Sequence, residues 1–119
     1  MARILIGDDA MFMRATLKKM LIAAGHDVIG EAENGVRAVE LYGQLQPELM
    51  LLDITMPEKD GLQALGDIMQ QYPQARVIMC SALGQENKVR EALMLGAKDY
   101  LVKPVTPERL TETIRRVLA

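Results

Sequence analysis

Five polar residues stand at the ends of four separate apolar runs: Asp8, Asp9, Asp53, Ser81 and Lys103. Short apolar runs with polar residues at their ends are typical of buried strands in a parallel sheet. In such a sheet the carboxyl ends of the strands share one edge, and ligands bind at that edge. If the first and third strands are neighbours, the three aspartates lie close enough to act together.

Three carboxylates gathered at one place repel one another unless they bind protons or a cation. Their hard oxygen atoms, with room left for water, suit Mg²⁺. A cation there would also neutralise an incoming phosphoryl group, which Asp53 could attack as a nucleophile. Lys103 and Ser81 could each bind a phosphoryl oxygen, through hydrogen bonds worth about 1.5 to 3 kcal/mol each. The residue types therefore predict a magnesium-dependent phosphorylation site.

The strands that position these residues are predicted at residues 4–6, 28–32, 49–52, 77–80 and 100–102. Each run is followed by apolar residues at three- and four-residue intervals, which is the spacing of an amphipathic helix. Gly25 and Gly96 are expected to end the first and fourth helices, and Thr106 to cap the fifth. The buried face of the fourth helix is expected to carry Val89, Ala92 and Leu93. Strict alternation predicts a doubly wound α/β fold, with helices on both faces of a parallel sheet.

The composition limits the class of protein. With 119 residues, half of them apolar, the chain suits one domain, predicted to span residues 1–119. A formal charge of −2 gives no overall attraction for phosphate backbones, so direct nucleic-acid binding is disfavoured. No apolar run approaches the roughly twenty residues that span a bilayer, and no signal-peptide pattern is present. We therefore expect a cytoplasmic protein that is not embedded in a membrane.

Four short motifs occur together along the chain. They are Asp8-Asp9, Asp53-Ile54-Thr55-Met56-Pro57 with Asp60-Gly61 following, Ser81-Ala82, and Lys103-Pro104 after Tyr100. In this combination the whole chain resembles the receiver domains of two-component response regulators, most closely the free-standing members that serve chemotaxis. The resemblance implies a flavodoxin-like fold of five parallel strands in the order 2-1-3-4-5 with five helices. The alternation of elements alone does not determine that order.

The resemblance also implies a role for each residue of the site. Asp53 would be the phosphoacceptor, and would bind Mg²⁺ together with Asp9 and the backbone carbonyl of Thr55. Asp8 would act mostly through a metal-bound water. Lys103 would contact the phosphoryl group, and a cis peptide bond before Pro104 would direct it there.

The family resemblance further implies a conformational switch. Ser81 would move inward to bind a phosphoryl oxygen, and Tyr100 would then turn inward and remodel the face formed by helix four, strand five and helix five.

Two positions depart from the commonest pattern of the family or vary within it. Gly7 precedes the acidic pair, so we expect a looser end to the first strand. Leu83 is apolar and bulky, so we expect it to give no help to a hydrolytic water.

The implied partners are a histidine kinase as phosphodonor and the flagellar motor switch protein, or another output protein, as receiver. A phosphatase would be a further partner, because self-dephosphorylation is expected to be slow. We expect a monomer that is a switch rather than an enzyme. The chain ends at Ala119 without a DNA-binding motif, which favours a free-standing regulator or a phosphorelay intermediate over a receiver fragment of a transcription factor.

Alternatives from other classes share parts of this pattern. A flavin-binding module has the same expected fold, but Asp8-Asp9 would repel the flavin phosphate. An aspartyl-phosphate hydrolase normally carries a second acid two residues after a nucleophile at the first strand, a spacing that Asp8-Asp9-Ala10 lacks. Asp9 could also do no more than cap the first helix.

Overall fold

Strands and helices alternate strictly along the chain in the computed structural model, which describes residues 1–119. The strands are β1 (Arg3–Gly7), β2 (Asp27–Ala32), β3 (Leu49–Asp53), β4 (Val77–Ser81) and β5 (Asp99–Val102). The helices are α1 (Met11–Ala23), α2 (Gly35–Leu45), α3 (Gly61–Gln71), α4 (Glu86–Leu95) and α5 (Pro107–Leu118). No helix is both long enough and apolar enough to cross a membrane.

All five strands belong to one parallel sheet in the order β2-β1-β3-β4-β5. The predicted doubly wound fold and the strand order implied by the resemblance are both confirmed. Gly7 pairs with Leu52 of β3, and Asp53 pairs with Cys80 of β4. This register brings the carboxyl ends of β1, β3 and β4 to one edge of the sheet.

The sheet separates two apolar layers. On one face, Leu5, Met50 and Leu52 pack with residues of α2, α3 and α4. On the other face, Ile4 and Ile6 of β1 pack with residues of α1 and α5. Side chains that alternate along a strand point to opposite faces, so a strand buried on both faces reads as a continuous apolar run. The central strands are thereby held from both sides, which makes their carboxyl edge a firm support for a site.

The helix ends follow from local chemistry. Thr106 Oγ1 accepts the Arg109 N–H at 3.2 Å, and Pro107 occupies the first helical position of α5, as predicted. Gly96 ends α4 in the left-handed conformation, with φ at 119°, which also confirms the prediction. Gly25 also has a positive φ, of 89°, one residue beyond the C-cap of α1.

One predicted core residue is on the surface. Leu93 of α4 is 41% exposed, whereas Val89 and Ala92 are buried as expected. The three-to-four-residue spacing selects one face of the helix, but α4 buries only a narrow stripe of that face. Leu93 instead lines a groove beside β5.

Candidate functional site

The three aspartates converge at the carboxyl edge of the sheet. One carboxylate oxygen from each of Asp8, Asp9 and Asp53 lies within 4.8 Å of the other two. Asp53 is the last residue of β3, and Asp8 follows β1, where its backbone N–H donates to the Ala32 carbonyl at 2.9 Å. Asp8 and Asp53 are buried, while Asp9 is exposed to solvent. The structure therefore shows the juxtaposition that the strand ends predicted.

Lys103 reaches this cluster from the end of β5. Its Nζ lies 3.2 Å from Asp8 Oδ2 and 3.3 Å from Asp53 Oδ2. Its backbone N–H donates to the Ser81 carbonyl at 2.7 Å, and the peptide bond to Pro104 is cis. One ammonium group thus faces two buried carboxylates in a site of reduced solvent exposure.

The charges in this cluster shift the ionisation of both partners. Burial raises the pKa of Asp53, an effect that the nearby Lys103 opposes and the Asp8 carboxylate reinforces. Burial alone would lower the pKa of Lys103, but the carboxylates of Asp53 and Asp8 together raise it. Lys103 therefore keeps its positive charge beside Asp53 at neutral pH.

Ser81 and Tyr100 border one groove next to the site. Ser81 is buried at the end of β4, whereas Tyr100 of β5 is 41% exposed. Both residues line a groove of about 330 Å³ together with Leu93 and other residues of α4. The Tyr100 ring is thus partly outside, beside a space open between α4 and β5.

Gln85 joins the two loops at the mouth of the site, a contact that the sequence did not predict. Its Nε2 donates to Thr55 Oγ1 at 3.0 Å, and its Oε1 accepts the Ala82 N–H at 2.7 Å. The backbone of Thr55 also faces the Asp53 carboxylate, where it partly opposes the rise in the pKa of that group. Nothing in the sequence marks Gln85, because the bridge depends on two loops that meet only in the folded chain.

The sequence that forms this site matches a known protein family over most of its length. Residues 4–115 match the family model of the response regulator receiver domain, which covers nearly the whole chain.

The chain belongs to the receiver domain family.

Several relatives of this receiver domain are similar over almost their whole length. The chain is 52% identical over 116 residues to the chemotaxis protein CheY of Bacillus subtilis (strain 168), covering 98% of this chain and 97% of that protein. It is 50% identical over 115 residues to the chemotaxis protein CheY of Thermotoga maritima, covering 97% and 96%. This receiver domain is therefore of the CheY type and belongs with two-component signalling proteins.

A solved structure is similarly close. The CheX-CheY-BeF3-Mg²⁺ complex from Borrelia burgdorferi contains a chain that matches with a TM-score of 0.94 and 36% identity. The match covers 98% of this chain and 89% of that one. The match to the receiver family, rather than the fold, decides against the flavin-binding alternative.

The donor set of the receiver domain fits a hard divalent cation. The three aspartates offer only oxygen ligands, and exposure of Asp9 leaves access for water. Asp9 does not act as a helix cap, because the N-cap of α1 is Ala10 and no side chain caps it. The simpler capping explanation for Asp9 is therefore wrong.

Two glycines of the receiver domain show why the backbone fits so closely here. A Cβ at Gly61 would lie 2.0 Å from the Asp53 carbonyl oxygen, so α3 can begin here only with glycine. The Asp60-Gly61 pair was the signal for this contact in the sequence. Gly7 pairs regularly within the sheet, and a Cβ there would lie 2.9 Å from Leu52 Cδ1. The expected looser end of β1 is not seen in its pairing.

Proposed function

We propose that this receiver domain accepts a phosphoryl group on Asp53 from a histidine kinase, in a reaction that depends on Mg²⁺. The observation that carries the proposal is the cluster of three aspartates within 4.8 Å, with Lys103 beside two of them. The names of the relatives support a chemotaxis role, and BeF3 and Mg²⁺ are named together with CheY in the Borrelia burgdorferi complex.

In the proposed transfer, a carboxylate oxygen of Asp53 attacks the phosphorus atom of a phosphohistidine. An O–P bond forms while the N–P bond breaks, and the electron pair of the broken bond passes to the imidazole nitrogen. Asp9, Asp53 and the backbone carbonyl of Thr55 would hold Mg²⁺, with Asp8 acting mostly through a bound water. The cation, when bound, offsets the negative charge of the transferring group. Lys103 would bind one phosphoryl oxygen.

The signal would leave the site through the groove that Ser81 and Tyr100 share. A phosphoryl oxygen near Asp53 offers an acceptor for the Ser81 hydroxyl, which would draw the end of β4 inward. That movement would give the half-exposed Tyr100 ring room to turn into the groove, and the face of α4, β5 and α5 would change. Phosphorylation would thereby shift the population between two conformations.

The partners follow from this mechanism. A histidine kinase would supply the phosphoryl group, and the flagellar motor switch protein or another output protein would read the altered face. Leu83 is 79% exposed and apolar, so it gives no group that could orient a hydrolytic water. We therefore expect a phosphatase to shorten the lifetime of the phosphorylated state. We also expect residues 1–119 to form one signalling domain that is monomeric and cytoplasmic. A phosphorelay intermediate or a receiver within a larger regulator would use the same site with a different output.

The test is incubation with a small-molecule phosphodonor, with and without Mg²⁺, followed by intact mass measurement. We expect one added phosphoryl mass that requires Mg²⁺ and that is absent from Asp53→Ala. Asp27→Ala is a suitable control, because Asp27 is an exposed acid at the opposite edge of the sheet. Modification that persists in Asp53→Ala or in the presence of a chelator would overturn the proposal. Turnover of the phosphodonor without a lasting phosphoprotein would instead point to an enzyme.

A further inference from the structure

Arg14, near the start of α1, folds back onto the acidic loop that follows β1. Its Nη1 donates to the backbone carbonyl of Asp8 at 2.6 Å. Its Nε donates to Glu31 Oε1 of β2 at 3.2 Å. The side chain is only 14% exposed, although charged side chains on surface helices usually extend into water. None of the roles proposed above uses this guanidinium group.

Two hydrogen bonds hold the backbone of Asp8, one at its N–H and one at its carbonyl. The N–H of Asp8 donates to the Ala32 carbonyl at 2.9 Å, and its carbonyl accepts from Arg14. That carbonyl belongs to the peptide bond between Asp8 and Asp9. Its orientation therefore sets the direction in which the chain enters Asp9.

Asp9 depends on the backbone more than its neighbour does. The Asp8 carboxylate accepts the Ala10 N–H at 2.9 Å and contacts Lys103 at 3.2 Å, so its own partners fix it. The Asp9 carboxylate is exposed, takes no part in capping α1 and has no ion-pair partner. Without a cation, only the backbone keeps it directed toward Asp8 and Asp53.

Arg14 does not serve to neutralise the acidic cluster. Its ion-pair partner is Glu31, which also contacts Lys18 at 3.6 Å, and it pairs with none of the three aspartates. The cluster therefore keeps its negative charge for a cation, while Glu31 balances the charge of Arg14. The planar guanidinium group suits this double contact, because its several N–H groups donate in two directions at once.

We infer that Arg14 is a positioning residue for the divalent-cation site. By holding the peptide bond between Asp8 and Asp9, it keeps the exposed Asp9 carboxylate within reach of Asp8 and Asp53. The inference rests on the proposed function, because it concerns the cation that the three aspartates would hold.

A role of Arg14 through its charge and a role through its position predict different effects on Mg²⁺ binding when Arg14 is replaced. If Arg14 acted only through its charge, Arg14→Ala would bind Mg²⁺ more tightly, because a nearby positive charge had gone, and Arg14→Lys would bind as the wild type does. If Arg14 acts by position, both variants bind Mg²⁺ more weakly. We expect a loss of about tenfold in each, as is found for groups that support metal ligands.

The experiment is a titration of the full chain with Mg²⁺ alone, followed by the NMR shifts of the amide groups around the site. Lys18→Ala is the matched control, because Lys18 shares Glu31 with Arg14 but contacts no backbone carbonyl of the loop. We expect this control to bind Mg²⁺ as tightly as the wild type or slightly more tightly. Circular dichroism of each variant checks that it is folded.

Equal or tighter Mg²⁺ binding by Arg14→Ala, or wild-type binding by Arg14→Lys, would overturn the inference while leaving the proposed function in place. If Arg14→Ala does not fold, Arg14→Lys decides alone, because it keeps the charge and loses only the planar guanidinium group. Failure of the wild type itself to bind Mg²⁺ would overturn the proposed metal site, and the role of Arg14 with it.

Discussion

At the scale of single residues, repulsion between carboxylates governs the site. Asp8 and Asp53 share the ammonium group of Lys103, but Asp9 adds a third negative charge within 4.8 Å without a partner of its own. Repulsion of this kind stays in the folded protein until a cation binds, because the fold keeps the three groups together. We therefore expect this repulsion to lower the stability of the metal-free protein.

We expect Asp9→Asn to raise the melting temperature of the metal-free protein, because it removes repulsion without removing a hydrogen bond to the side chain. The asparagine side chain has nearly the same shape, so packing should not change. In excess Mg²⁺ the order should reverse, since the wild type gains more from binding the cation. Thermal melting by circular dichroism, with a chelator and then with Mg²⁺, measures both effects. A clear fall in melting temperature without metal would mean that the Asp9 carboxylate has a structural role.

Much of the site could be predicted residue by residue, and the reason is physical. Asp8 and Lys103 directly follow strands and Asp53 ends one, and the carboxyl ends of parallel strands lie at one edge of the sheet. Gln85 and Arg14 could not be predicted, because each reaches its partners by a long side chain across a loop. Sequence spacing does not encode such a reach. The roles of the site residues remain predictions, although their positions agree with those roles.

At the scale of the elements, the start of α3 packs closely against the end of β3. Asp60 caps this helix, accepting the Gln63 N–H at 2.9 Å, while Gln63 Oε1 accepts the Asp60 N–H at 3.1 Å. The next residue, Gly61, lies against the backbone of Asp53. The helix and the end of β3 are thus tied together at the site.

We expect Gly61→Ala to lower the free energy of unfolding by about 1 to 3 kcal/mol, because its Cβ must displace the backbone of Asp53 or the first turn of α3. Gly66→Ala is the control in the same helix, since a Cβ there meets nothing within 4 Å. Alanine is about 1 kcal/mol more favourable than glycine in a helix interior, so this control should stabilise the protein. Urea denaturation measures both. Effects of the same sign in the two variants would contradict the close-contact explanation.

The elements themselves were largely predictable. Each of the five strands lies where an apolar run predicted it, although only β3 and β4 are buried along their whole length. The prediction that Leu93 is buried was wrong, because helical spacing identifies a face of the helix but not how much of that face a neighbouring element covers. The strand order came from the family resemblance, since alternation alone permits other orders.

At the scale of the whole molecule, the edge opposite the site contains the one histidine of the chain. His26 Nδ1 accepts the Ala2 N–H at 3.0 Å, which ties the start of β1 to the start of β2. Burial lowers the pKa of His26 from 6.5, the N-terminal ammonium group lowers it further, and Glu48 partly opposes both. An imidazole that is protonated at Nδ1 could not accept the hydrogen bond from the Ala2 N–H.

The sign of the pH dependence follows from that lowered pKa. Near pH 6 the unfolded chain binds more protons at His26 than the folded chain does, so stability rises with pH there. The contribution of His26 is complete above its unfolded pKa and is lost as the pH falls through the lower, folded pKa. We expect the difference in unfolding free energy between the wild type and His26→Ala to shrink between about pH 7.5 and pH 5.5. A difference that stays constant or grows as the pH falls would contradict the assigned hydrogen bond.

The most direct test of the central claim identifies the atom that becomes phosphorylated. The protein is treated with a small-molecule phosphodonor and Mg²⁺, and borohydride then reduces any acyl phosphate to an alcohol that survives digestion and tandem mass spectrometry. We predict reduction at Asp53 alone, with none at Asp8 or Asp9 and none when Mg²⁺ is chelated. Reduction at another acid, or none at Asp53 under conditions that load the protein with phosphoryl groups, would contradict the account.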